Sequence, residues 1–144
     1  MYSTIQNKIL DLCVRILIPI ILMIGFYILF HGEISAGGGF QAGIIFSIPI
    51  IIYILLYGNK THQGHFFLES RFFELLSYIG VLMYILVGII GMISNDSFLN
   101  LTKELIPNTI MEKVYIFIIE IGICMTIFGT MCNIFISMYK VKKN

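Results

Sequence analysis

Two glutamates stand where a carboxylate is costly. Glu120 interrupts the apolar run from Val114 to Met138, and Glu74 the run from Phe72 to Ile93. An ionisable group at the centre of a membrane span costs about 2.5–3.5 kcal/mol on insertion scales, so each marks a place where a proton or a cation could be bound. Glu120 is six residues into its run. At about 1.5 Å per residue that is roughly 9 Å below the outer end, too deep for a short side chain to reach the surface easily. It is the leading candidate for an ion path, and it serves equally as a hydrogen-bonded structural acid against a neighbouring helix or subunit; neither role lets it face lipid. Glu74 is near the start of its run beside Ser70 and Arg71. It is a further ion-path candidate, although an interfacial position is enough to explain it.

Other polar groups carry weaker signals. His31 and Glu33 follow the first apolar run. A histidine titrates near neutral pH, so the two suit proton relay or gating at the outer face, or plain hydrogen bonding to an adjoining subunit. Asp11 and Arg15 are spaced i, i+4, so they meet on one helix face and neutralise each other as an interfacial anchor. His62 and His65 lack a third ligand, and Cys13, Cys124 and Cys132 lie in apolar segments without Cys-x-x-Cys or Cys/His spacing. The cysteines read as packing residues, and neither a metal site nor a cofactor is expected.

The most informative stretch is His31-Gly32-Glu33-Ile34-Ser35-Ala36-Gly37-Gly38-Gly39-Phe40-Gln41-Ala42-Gly43. Successive glycines admit positive φ angles and let another chain approach to contact distance. Gly39 and Gly43 make a GxxxG opening the second helix, whose N-terminus has unpaired N–H donors. A phosphate loop needs Lys and Ser or Thr after the glycines; Phe40-Gln41-Ala42 stand there instead, which disfavours nucleotide binding. Gly37, Gly38, Gly39, Phe40, Gln41 and Gly43 therefore read as a structural or interface loop, with a flexible tight turn as the plainest version.

The elements that position these groups follow from composition. Of 144 residues, 58% are hydrophobic and 12% charged, with a mean hydropathy of +0.95. That excludes a soluble enzyme and a disordered chain, and a net charge of +1 offers no basic footprint for nucleic acid. The first run ends in His31-Gly32-Glu33 rather than a small-residue cleavage site, so it reads as a mature span and not a signal peptide.

Four apolar stretches, about 9–30, 40–57, 72–93 and 114–138, approach the roughly 20 residues that cross a bilayer. The expectation is an all-α integral membrane protein, multi-pass in the cell membrane, with four transmembrane helices packed as one bundle in a single domain over 1–144. Strands are disfavoured because no run alternates with period two. Pro19 and Pro49 should kink the first two helices, with Ser47 serving the carbonyl of Ile45 that Pro49 leaves unpaired. Gly80, Gly88 and Gly91 in the third helix, and Gly122 and Gly129 in the fourth, favour close helix contact. Lys and Arg divide seven against two between the sides of a four-span chain, which places both termini and the 58–71 loop in the cytoplasm.

With its glycine stretch at the junction of the first two of four spans, the chain resembles the MnhB/MrpB family, small subunits of the Mrp-type (Mnh-type) multisubunit sodium/proton antiporters. The resemblance covers the whole chain in layout, and its sequence-specific part is His31-Gly32 followed by Gly37-Gly38-Gly39-Phe40-Gln41-x-Gly43. The family pattern usually has Pro before the three glycines and Gly after the Gln, where this chain has Ala36 and Ala42. Both replacements stay small, and losing the proline loosens the loop.

The resemblance implies a small subunit without enzymatic activity. It would assemble with larger antiporter-like subunits into a complex that exchanges cytoplasmic Na+ for external H+. Three roles stay open: Glu120, with His31 and Glu33, lines or borders the ion path; the chain is a purely structural clamp between larger subunits; or it is the corresponding membrane-arm subunit of an energy-converting hydrogenase or related respiratory complex.

Overall fold

The computed structural model describes residues 2–32, 38–57, 70–93 and 109–143. It is all-helical: α1 spans Tyr2–Phe30, α2 Gly38–Tyr57, α3 Ser70–Ile93 and α4 Thr109–Lys143. Each contains a segment long and apolar enough to cross a membrane, namely Lys8–Phe30, Gly38–Leu56, Ser70–Ile90 and Lys113–Val141. Helices satisfy every interior backbone group within one segment, which is why apolar runs of this length adopt them in lipid. The helices continue past the apolar stretches where the flanking residues still favour helix. In this way α1 begins at Tyr2 and α4 at Thr109.

The bundle is a flattened row in the order α1, α2, α4, α3. α4 packs against α2 on one flank and α3 on the other, and α1 packs on α2 and barely touches α4. Glycine registers set these contacts. A Cβ at Gly43 would stand 2.7 Å from Cys124 O, and one at Gly39 would overlap the backbone of Glu120. Both contacts advance by four residues, so α2 and α4 run parallel with their backbones nearly touching, as small residues allow. On the other flank a Cβ at Gly80 would stand 2.5 Å from Gly122 O, and one at Gly129 would stand 2.5 Å from Phe73 O. This register makes α3 antiparallel to α4.

Polar staples and two apolar clusters fix the row. Ser77 Oγ donates to Thr126 O at 3.1 Å, Asn133 Nδ2 to Glu74 Oε1 at 3.4 Å, and Lys140 Nζ to Ser70 Oγ at 3.5 Å. Ile54 of α2 and Phe73 of α3 share a cluster with Cys132 and Ile136 of α4. Leu29, Ala42 and Cys124 form the second, joining α1, α2 and α4. Cys124 and Cys132 are therefore packing residues, but Cys13 is exposed, because α1 has a helical neighbour along one side only.

Pro19 and Pro49 lie inside continuous helices. Ser47 does not serve Ile45: its Oγ donates to Ile44 O at 2.6 Å. A helical side chain reaches the carbonyl three or four residues back, and Ile45 is too close in sequence for that geometry. Asp11 and Arg15 pair as their spacing requires, at 2.9 Å, with the Arg15 side chain 75% exposed.

Candidate functional site

The site is built where α1 ends, α2 begins and α4 passes both. α2 starts at Gly38, whose φ of +30° lies in a region that residues with a side chain rarely adopt. A Cβ there would stand 2.5 Å from Glu120 Oε1 and 2.9 Å from Cδ. A Cβ at Gly32, just beyond α1, would collide with both carboxylate oxygens of Glu120. The side chain of Glu120 thus fills the volume that the missing side chains of Gly32 and Gly38 leave. Gly39 instead faces the Glu120 backbone, where its Cβ would lie 2.8 Å from the carbonyl carbon.

The electrostatics suit this placement. The first N–H groups of a helix have no intrahelical acceptor, and together they present partial positive charge. α2 has no acidic residue in its first turn. Glu120 brings a carboxylate there from another helix, and its Oε2 is buried.

Glu120 is less deep than its apolar surroundings suggest. It stands level with the end of α1 and the start of α2, and Phe30 stacks on Phe117 at 5.7 Å one turn away. Residues 109–119 of α4 project past that level, by roughly 16 Å at helical rise.

The other expected residues are dispersed. His31 is exposed; its ring stacks on Tyr27 at 4.2 Å, and its Nδ1 donates to Tyr27 O at 3.1 Å. It is joined to the site through its neighbour Gly32. Glu33 and Gly37 lie outside the described residues, as do His62 and His65. Phe40 and Gln41 are exposed, while Gly43 is buried against α4. Glu74 is at the opposite end of α4, on its α3 flank: its partner Asn133 is 13 residues beyond Glu120, about 20 Å along the helix. The structure therefore joins Glu120 to the glycine stretch and does not join it to Glu74.

One polar feature escapes the sequence reading. Thr126, Thr130, Asn133, Ser137 and Lys140 follow each other at steps of four and three along α4, which places them on one face. Thr126 and Thr130 turn their hydroxyls to their own helix, donating to Gly122 O at 2.8 Å and Thr126 O at 2.9 Å. Asn133 reaches across to Glu74, and its Oδ1 is buried without a hydrogen-bond partner among the described residues. The spacing was the available signal. Among the described residues, no three His, Cys, Asp or Glu side chains gather as metal ligands.

The described residues form four helices long and apolar enough to cross a membrane, which fits a multi-pass membrane protein, and the matching family is one of transporter subunits rather than enzymes. The chain belongs to the MnhB family, described as a domain related to the MnhB subunit of Na+/H+ antiporter, which matches residues 9–133. Among its relatives is a protein of Staphylococcus haemolyticus (strain JCSC1435) named "Putative antiporter subunit mnhB2", 29% identical over 138 residues, covering 92% of this chain and 94% of the relative. Proteins of the same name in Staphylococcus epidermidis (strain ATCC 12228 / FDA PCI 1200) and Staphylococcus aureus (strain Newman) are 28% and 26% identical, each with 92% of this chain and 94% of the relative covered. No solved structure matches the chain.

Proposed function

We propose that this chain is a small subunit of a multisubunit Na+/H+ antiporter of the cell membrane, and that its own contribution is to assembly. The nearly full-length similarity to proteins named as antiporter subunits supports the first part. One observation carries the second: Gly32, Gly38 and Gly39, all in the family-specific stretch, close around Glu120, so the residues that mark the family build a junction between helices. The larger subunits conduct the ions, and this chain holds a defined surface against them.

A second reading, in which Glu120 borders the ion path, draws on the same carboxylate, because a buried acid can exchange a proton or sodium with small changes in hydration. The cleft of about 780 Å³ between α1, α2 and α4 is lined mostly by apolar side chains such as Leu22, Phe26, Pro49 and Phe128, with Tyr53 as its main polar group, and is not part of that reading.

Pull-down of the tagged chain from its native membrane, with mass spectrometry of what accompanies it, tests the assembly. Antiporter subunits are the expected companions; hydrogenase subunits would move the chain to a redox-driven complex. Glu120→Gln, assayed for transport in vesicles, then separates the two roles. Transport that survives in a normally assembled complex supports the assembly role, and transport lost with assembly intact favours the ion path.

A further inference from the structure

We infer that Glu120 is a positioning residue whose carboxylate locks the two ends of the α1–α2 connection to α4. The chain leaves α1 at Gly32 and enters α2 at Gly38, and both stand against the same carboxylate. One side chain from α4 therefore fixes where the connection departs and where it returns.

Room, charge and register agree on this. Each of the two glycines leaves a volume that the carboxylate fills, so any larger residue there must displace it. The start of α2 lacks an acid of its own and presents N–H donors and positive partial charge to an anion. Gly39 and Gly43 seat α2 on the backbone at Glu120 and Cys124, which holds the carboxylate level with the start of α2. The glycine backbone occupies the near side of the carboxylate. The lock concerns this end of the fold and does not depend on which ions the complex exchanges.

A double-mutant cycle in the full chain, expressed with its native complex, tests it; the readout is the amount of chain recovered with its partners in detergent. Gly32→Ala should reduce recovery about fivefold or more, because its methyl group would overlap the carboxylate oxygens. Gly32→Ala combined with Glu120→Ala should return to within about twofold of Glu120→Ala alone, because the new methyl group enters the space the carboxylate vacates.

Gly39→Ala is the control. Its Cβ would meet the Glu120 backbone, so removing the side chain should not rescue it. Glu120→Gln, which keeps length and an acceptor oxygen, should retain recovery, whereas Glu120→Leu should not. The lock is wrong if losses in the Gly32/Glu120 pair simply add, if Gly32→Ala is silent, or if Glu120→Leu assembles as well as Glu120→Gln. Failure of the antiporter reading would appear separately, as the wrong companions in the pull-down with the cycle intact.

Discussion

A buried polar side chain is judged by what it would lose if its partner were removed, and two side chains of α4 give opposite answers to that question. Glu120 fills room left by Gly32 and Gly38, so what it would lose is space and packing rather than one partner side chain. Asn133 is held by a side chain: its Nδ2 donates to Glu74, and its Oδ1 is buried with no hydrogen-bond partner among the described residues. Replacing one member of such a pair strands the other, whereas replacing both by apolar groups can be nearly neutral. Asn133→Leu alone should therefore destabilise the α3–α4 contact by about 1 kcal/mol. Glu74→Leu with Asn133→Leu should recover most of that loss, as read from thermal stability of the purified complex. A double variant as unstable as the sum of the single ones would show that the two residues act independently.

At the scale of elements, the contact between α3 and α4 rests more on missing side chains than on hydrogen bonds. Interhelical hydrogen bonds in membranes average about 0.6 kcal/mol, because the separated helices also find partners. Ser77→Ala, which removes the donor to Thr126 O, should cost about that amount. Gly80→Val places a branched side chain where a single Cβ would already stand 2.5 Å from Gly122 O, so the backbones must separate. Overpacking of this kind costs about 1–3 kcal/mol or more. The ranking, with Gly80→Val far worse than Ser77→Ala, is measurable as the shift in melting temperature of the complex, and a reversed order would mean that the hydroxyl staple dominates.

The same scale shows how far the sequence could be read. Apolar runs reveal four helices because backbone in lipid has few other choices. They do not reveal the order of packing, since every flank of a membrane helix is apolar whether it meets lipid or protein. The glycine stretch and Glu120 each stand out alone, but their contact joins residues about eighty positions apart, and no local pattern encodes it. The polar face of α4 was legible in the four- and three-residue steps from Thr126 to Lys140; an unconnected reading of single charges passes over it.

For the whole molecule, the geometry turns a statistical rule into a sharper test. α1 is antiparallel to α2, as their joined ends at Gly32 and Gly38 require, and α2 is parallel to α4. The start of α1 and the end of α4 consequently lie at the same end of the row, and the Glu120 site lies at the other. The excess of Lys and Arg at the end shared by the termini predicts a cytoplasmic position for that end by the positive-inside rule, and with it an outer-face position for Glu120. In a cysteine-free chain, Lys113→Cys should react with a membrane-impermeant thiol reagent added to intact cells, and Lys140→Cys only after permeabilisation. Both positions are exposed, so accessibility within the chain does not bias the comparison. The opposite labelling pattern would turn the molecule over. The lock would then face the cytoplasm.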